Sequence, residues 1–245
     1  MVLDLLTLTA VPTVVGAAEA VRQQDEMDAD AESPERRAPF HLVVYCDAQS
    51  KKRDEVHDTM AVLKDGKLRL WPRDRKTKLP KPHPETSESP HPFTGFYLPF
   101  PTEDLPHRPM PARPILGLVT TIPPSSAASS KSTDAKPKLN WVYADRETRE
   151  LKYGPRVKAR DHAVGSWDWT EDEEGITLED EECLVAVEEE RGGYGWSVYW
   201  DPDDNRLKEM DVGKEKRVLR CSFERRLAKT RRSRIEGSSD EDSDG

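Results

Sequence analysis

The sequence predicts a mainly β domain, an antiparallel sandwich or barrel, and three observations carry that reading. Tryptophan and tyrosine sit inside short alternating runs at residues 139–145, 167–169 and 196–200. Successive side chains of a strand point to opposite faces, so Trp196, Val198 and Trp200 share one face while Ser197 and Tyr199 share the other. Asp65-Gly66 lies between two strand-like flanks and supplies the two positive-φ positions of a type I′ hairpin turn. Finally, roughly nine such runs are separated by turn residues, and mostly neighbouring pairings of short strands build sandwiches or barrels.

Taken in order, residues 1–24 read as a helix kinked at Pro12 that docks on the domain, a partner or a membrane surface; its apolar run is short for a bilayer span, and Asp4 with no preceding basic residue weighs against the alternative of a cleaved signal peptide. Residues 25–38 are polar and read as a linker. A single β-rich domain then spans 39–227. Strands are expected at 40–47, at 60–71 as the hairpin, and at 93–100 and 115–122. A second hairpin is expected over 139–153, and further strands at 164–170, 183–187, 195–200 and 217–224. Residues 73–92 and 123–138 are rich in proline, serine and charge and lack periodicity, so they read as long loops or disordered inserts. Residues 228–245 form a disordered tail, first basic and then acidic.

Charged residues make up 35% of the chain, as many as hydrophobic ones, so it cannot bury a core along its whole length. The net charge of −9 argues against a general nucleic-acid binder, although a local patch can still act. Cys46, Cys183 and Cys221 are odd in number and form no CxxC pair. They read as buried reduced thiols, which places the protein in the cytoplasm or nucleus.

Several blocks resemble, in order, a family of uncharacterised proteins from filamentous ascomycete fungi. They are MVLDLLTLTAVPTVVGAAEAVRQQ, FHLVVYCDAQSKKRDEVHDTMAVLKDGKLRLWP, HPFTGFYLPFP, LNWVYADRETRELKYG, GSWDWTEDEEGITLE and GYGWSVYWD. The resemblance covers most of the chain outside the loops and tail. It implies a fungal, lineage-restricted protein and brings no catalytic or binding residues with it.

Five features bear on chemistry. The aromatic set Trp141, Tyr143, Trp167, Trp169, Trp196 and Trp200 is the candidate ligand-binding platform for sugars or bases; the competing reading is a packed core in which each indole N–H is satisfied internally. Residues 168–190 are strongly acidic, but neither they nor 201–212 fit the ligand order of an EF-hand, so no metal is expected. A basic patch runs through Arg225, Arg226, Lys229, Arg231, Arg232 and Arg234; it suits nuclear import or phosphate contact, or docking on the acidic loop of the same chain. Ser238 and Ser239 precede acidic residues and are candidate phosphorylation sites whose charge would mask those arginines. No nucleophile elbow, dinucleotide or P-loop glycine motif occurs, and His41 and Cys46 fall on opposite faces of one strand, so neither a catalytic residue nor a cofactor is expected.

The sequence therefore favours a non-enzymatic intracellular module that offers a surface or sheet edge to a protein partner of unknown identity. The alternatives are a small-molecule or carbohydrate-binding barrel, which would admit an enzyme, and a weak nucleic-acid contact through the basic patch.

Overall fold

A computed structural model describes residues 33–87, 89–101, 115–122 and 138–228. The strands are β1 (Phe40–Tyr45), β2 (Thr59–Lys64), β3 (Lys67–Pro72), β4 (His91–Pro92), β5 (Gly95–Phe100), β6 (Ile115–Ile122), β7 (Lys138–Ala144), β8 (Leu151–Gly154), β9 (Trp167–Trp169), β10 (Ile176–Leu178), β11 (Leu184–Glu188), β12 (Trp196–Trp200), β13 (Val218–Arg220) and β14 (Ser222–Leu227). Four one-turn helices join them: α1 (Pro34–Arg37), α2 (Arg53–Val56), α3 (Arg156–Ala159) and α4 (Asp211–Glu215).

The hairpin forms as its turn chemistry requires. β2 and β3 pair from Lys64↔Lys67 to Thr59↔Pro72, and Asp65 and Gly66 hold φ of 54° and 78°. A turn with both central residues left-handed matches the twist of its flanks, and glycine takes the second position without steric cost.

Hydrogen bonding decides between sandwich and barrel. The ladder runs β3–β8–β7–β6–β5–β1–β2 and returns to β3, so seven antiparallel strands close on themselves. Closure leaves those seven without a bare edge. β12 joins β3 from outside and carries β11, which carries β13; β14 lies along β1; β9 and β10 form a separate ribbon.

The main core is built by alternation. Phe40, Leu42 and Val44 of β1, Leu68 and Leu70 of β3, Leu116 and Leu118 of β6, and Trp196, Val198 and Trp200 of β12 all join one buried cluster. The opposite faces are covered too. Val119, Trp141 and Tyr143 form a second cluster, and Val185, Val187, Tyr199 and Leu207 a third. Trp141 settles over Gly117, where a Cβ would come within 2.5 Å of the indole, so a side chain there would push the ring out.

Two local readings change. Residues 217–224 do not make one strand: the chain bends at Cys221, so that β13 pairs with β11 and β14 with β1. A continuous apolar run shows that a segment is buried but not that it changes neighbours half-way. Second, helix appears in single turns inside the expected linker and loops, as in α1, where Ser33 Oγ accepts the Arg36 amide at 3.3 Å. Residues 73–87, expected as a long loop or a disordered insert, form a loop that is tied back on itself. Asp74 accepts the amides of Lys76 and Thr77, the Lys81 amide donates to Pro72, and the Trp71 indole donates to the Lys81 carbonyl. The expected N-terminal helix at 1–24, the insert at 123–137 and the tail from 229 lie outside the described residues. Among the described residues no helix is long and apolar enough to cross a membrane.

A charged network ties β3 to the turn before β8 and the end of β11. Lys67 Nζ reaches Glu150 at 2.9 Å and Glu189 at 2.6 Å, Tyr199 donates to Glu189 at 2.9 Å, and Lys152 bridges Asp145 and Glu150, each at 2.8 Å. Burial opposes ionisation of Asp145 and Glu150, yet hydrogen bonds from Lys152, joined by Lys67 on Glu150 and backbone amides on Asp145, prevail and hold both carboxyls at about 2. In the unfolded chain these groups titrate near 3.9 and 4.3. Because the folded values are depressed, their stabilisation is complete above about pH 4.5 and is lost as pH falls from there towards about 2. Melting curves between pH 6 and pH 2.5 should show Tm falling mostly below pH 4.5. Glu150→Gln should start from a lower Tm and fall less steeply; an unchanged slope would remove this network from the acid response.

Candidate functional site: a groove at the bend between β13 and β14

An open groove of about 800 Å³ lies beside that bend. One wall is the end of β1 and the connection after it, from Tyr45 through Ser50; the other is residues 217–222, with Arg206 closing one end. The Cys46 backbone fixes the first wall: His57 Nδ1 lies 3.2 Å from its amide and Arg53 Nε donates to its carbonyl at 2.8 Å. The second wall is joined to the first through the buried Cys46 thiol, which donates to the Arg220 carbonyl at 3.5 Å.

Arg206 is held from below. Asp201, 1% exposed, accepts the amides of Asn205, Arg206 and Leu207 at 3.4, 2.7 and 3.3 Å. That carboxylate permits two successive left-handed residues, Arg206 at φ 63° and Leu207 at φ 56°. Leu207 then plugs the third cluster, and Arg206 is exposed at the groove with no ion pair among the described residues. Arg217 contacts Glu188 and Ser50, both at 3.4 Å, and Arg220 pairs with Asp204 at 2.8 Å; both arginines stay about half exposed. Three arginines thus face two carboxylates, Asp47 and Glu182, of which Asp47 already sits 3.6 Å from Arg53. With Glu188 on Arg217 and Asp204 on Arg220, Arg206 is the one of the three without an ion pair among the described residues. β13 also ends the sheet, and its outer edge carries no strand among the described residues.

A second recess, of about 550 Å³ beside Glu150 and Tyr199, is less suited to a ligand, because the polar groups at its base are engaged in the Lys67 network.

The aromatic set is divided rather than assembled. Trp167, Trp196 and Trp200 lie in the main core, while Trp141 and Tyr143 lie in the second cluster. All five are buried. The Trp196 indole donates to Glu55 at 3.2 Å, but that of Trp167 finds no partner among the described residues, so internal satisfaction is incomplete. Trp169 alone is partly exposed, and two guanidinium groups stack on it, Arg36 at 4.1 Å and Arg225 at 4.2 Å from its ring. Arg36 is further held by Asp168 at 2.6 Å.

The basic patch is divided as well. Arg225 and Arg226 belong to β14, and both meet the acidic loop. Arg225 donates from its backbone to the Glu174 carbonyl at 2.7 Å and from Nη1 to the Glu173 carbonyl at 2.9 Å. Arg226 contacts Glu224, lies 3.8 Å from Glu174, and sits over the Tyr45 ring. Burial pushes the pKa of Arg225 down, with neighbouring Arg36 acting in the same direction. Both therefore contact residues 173–174, Arg225 through backbone carbonyls and Arg226 through the Glu174 carboxylate. Lys229, Arg231, Arg232, Arg234, Ser238 and Ser239 lie outside the described residues.

Among the described residues no group of His, Cys, Asp and Glu is arranged to hold a metal. Burial raises Cys183 to about 11 and pushes Cys221 up as well, which keeps both thiols protonated at neutral pH. Sequence reasoning missed Arg206 and Arg217. The turn cluster at 201–205 was visible, but nothing in it says that its first carboxylate turns inward and aims the arginine that follows.

Residues 16–229 match the model of the fungal beta-trefoil domain family. The chain belongs to that family. A closed antiparallel barrel with additional strands agrees with the assignment, as does the resemblance of the sequence blocks to fungal proteins. No curated protein matches the chain, and no solved structure does. In this fungal β-trefoil the groove lies where the end of β1, a barrel strand, meets the outer strands β13 and β14.

Proposed function

We propose that this β-trefoil is a non-enzymatic binding module that takes an extended, acidic segment of a protein partner in the groove. The observation that carries the reading is the coincidence of Arg206, exposed in the groove with no ion pair among the described residues, with the unpaired edge of β13. A bare edge offers backbone donors and acceptors to an added strand, and alternate side chains of that strand would meet Arg206, Arg217 and Arg220. Charged groups of this kind mainly give orientation and on-rate, so binding should weaken with salt.

Sugar stacking finds less support. Tyr45 is the aromatic residue lining the groove, and its ring is engaged by His57 at 5.6 Å and by Arg226 at 5.9 Å. The buried thiols and mutually paired carboxylates also favour binding over catalysis.

Full-length protein and its Arg206→Glu/Arg217→Glu variant, purified at native level from the source fungus, test the reading. A stoichiometric partner on the parent, reduced at least tenfold on the variant, is expected. A partner retained equally by both would place the interface elsewhere on the domain.

A further inference from the structure

The groove is within reach of an acidic segment of the same chain. We propose that residues 238–244 (SSDEDSD) dock in the groove and compete with the partner for it. This inference rests on the groove being a site for acidic segments.

Two observations commit the occupant. The first is reach. β14 leaves the groove at Ser222 and ends at Leu227, and the Ala228 amide is tied to Pro39 at 2.8 Å. The return distance is therefore about 17–20 Å at the rise of an antiparallel strand. Residues 229–237 extend to about 30 Å, enough to bring Ser238 back to the bend. The second is charge. Asp240, Glu241, Asp242 and Asp244 supply four carboxylates without an intervening base, against Arg206, which has no ion pair among the described residues, and the half-exposed Arg217 and Arg220 beside it. Of two other concavities, the one beside Glu150 and Tyr199 carries Glu209 and Asp211, and the one that holds Arg146 and Arg149 sets them against Glu147, Asp201, Asp203 and Glu209, so both would repel the same segment.

Tethering makes weak docking sufficient. A short flexible linker gives an effective concentration on the order of 1 mM. If the free segment binds with Kd of about 100 µM, the tether keeps the groove roughly nine-tenths occupied and weakens a competing acidic ligand about tenfold. Phosphate on Ser238 or Ser239 would add about −1.5 to −2 charges each and tighten the contact. The serines and the groove arginines would then act as one device that sets access to the site.

The test uses full-length protein and a full-length variant with Asp240→Asn, Glu241→Gln, Asp242→Asn and Asp244→Asn. A fluorescein-labelled peptide of residues 236–245 is titrated into each at low salt, and amide spectra of both proteins are compared. The expected result has two parts: the peptide binds the neutralised variant about tenfold more tightly than the parent, and the spectra differ at residues 45–50 and 217–222. If the peptide binds both proteins equally, at the groove, the groove accepts acidic segments and docking of the chain's own tail is overturned. If it binds neither, or binds away from the groove, both the docking and the acidic-ligand reading fall. Spectral differences confined to another face would show that the tail docks elsewhere and would likewise overturn the proposal.

Discussion

Trp196→Ala is expected to cost about 3–5 kcal/mol of unfolding free energy, the range for deleting a large buried aromatic. Trp196 is fully buried, heads the alternating face of β12, and is the point where β12 meets β3 through Trp196↔Leu70. Its indole also donates to Glu55 of α2 at 3.2 Å, so the substitution leaves a cavity and frees a carboxylate. At roughly 2–4 °C per kcal/mol for a domain of this size, Tm should fall by about 6–20 °C. Trp196→Phe, which keeps most of the volume, should lose less than half of that. Denaturant titration followed by far-UV dichroism decides it. A loss below about 1 kcal/mol would mean that the site collapses around the missing ring and that the outer strands are secured by other contacts.

Asp201→Ala is the second large effect, and it reaches the groove. The carboxylate is buried and accepts three backbone amides, while the Asp201 amide donates to Cys183 at 2.7 Å. Alanine leaves those amides without their acceptor and removes what compensates two left-handed residues, a loss of about 2–4 kcal/mol. Asp201→Asn keeps an acceptor oxygen and should cost about half as much. Since the same carboxylate sets Arg206, the alanine variant should also bind the acidic peptide several-fold more weakly under conditions where it stays folded. Stability measured by urea unfolding and affinity by fluorescence anisotropy separate the two effects. Lowered stability with unchanged affinity would remove Arg206 from the site.

The barrel shows how far pattern reading extends. Alternation at Trp196, Val198 and Trp200 and at Leu68 and Leu70 located inward faces, because a pleated strand must turn every second residue the same way and burial selects which residues those are. Asp65-Gly66 located the hairpin because few residue pairs accept two left-handed positions. These are local constraints, and local sequence expresses them. The aromatic set was legible as strand-forming, but its division between two clusters was not, since that depends on which strands become neighbours.

By itself, then, the sequence determined a mainly β fold, its principal hairpins and inward faces, and a charge pattern in which basic and acidic segments attract one another. Closure of seven strands into a barrel, the bend at Cys221 that sends β13 and β14 to different partners, and the inward turn of Asp201 that presents Arg206 were decided by tertiary structure alone. The physical reason is the range of the forces involved. Turn chemistry and side-chain alternation act over a few residues, whereas strand partners, a buried carboxylate and a groove arise from segments more than a hundred residues apart, such as Tyr45 and Ser222, whose adjacency no neighbouring residue encodes.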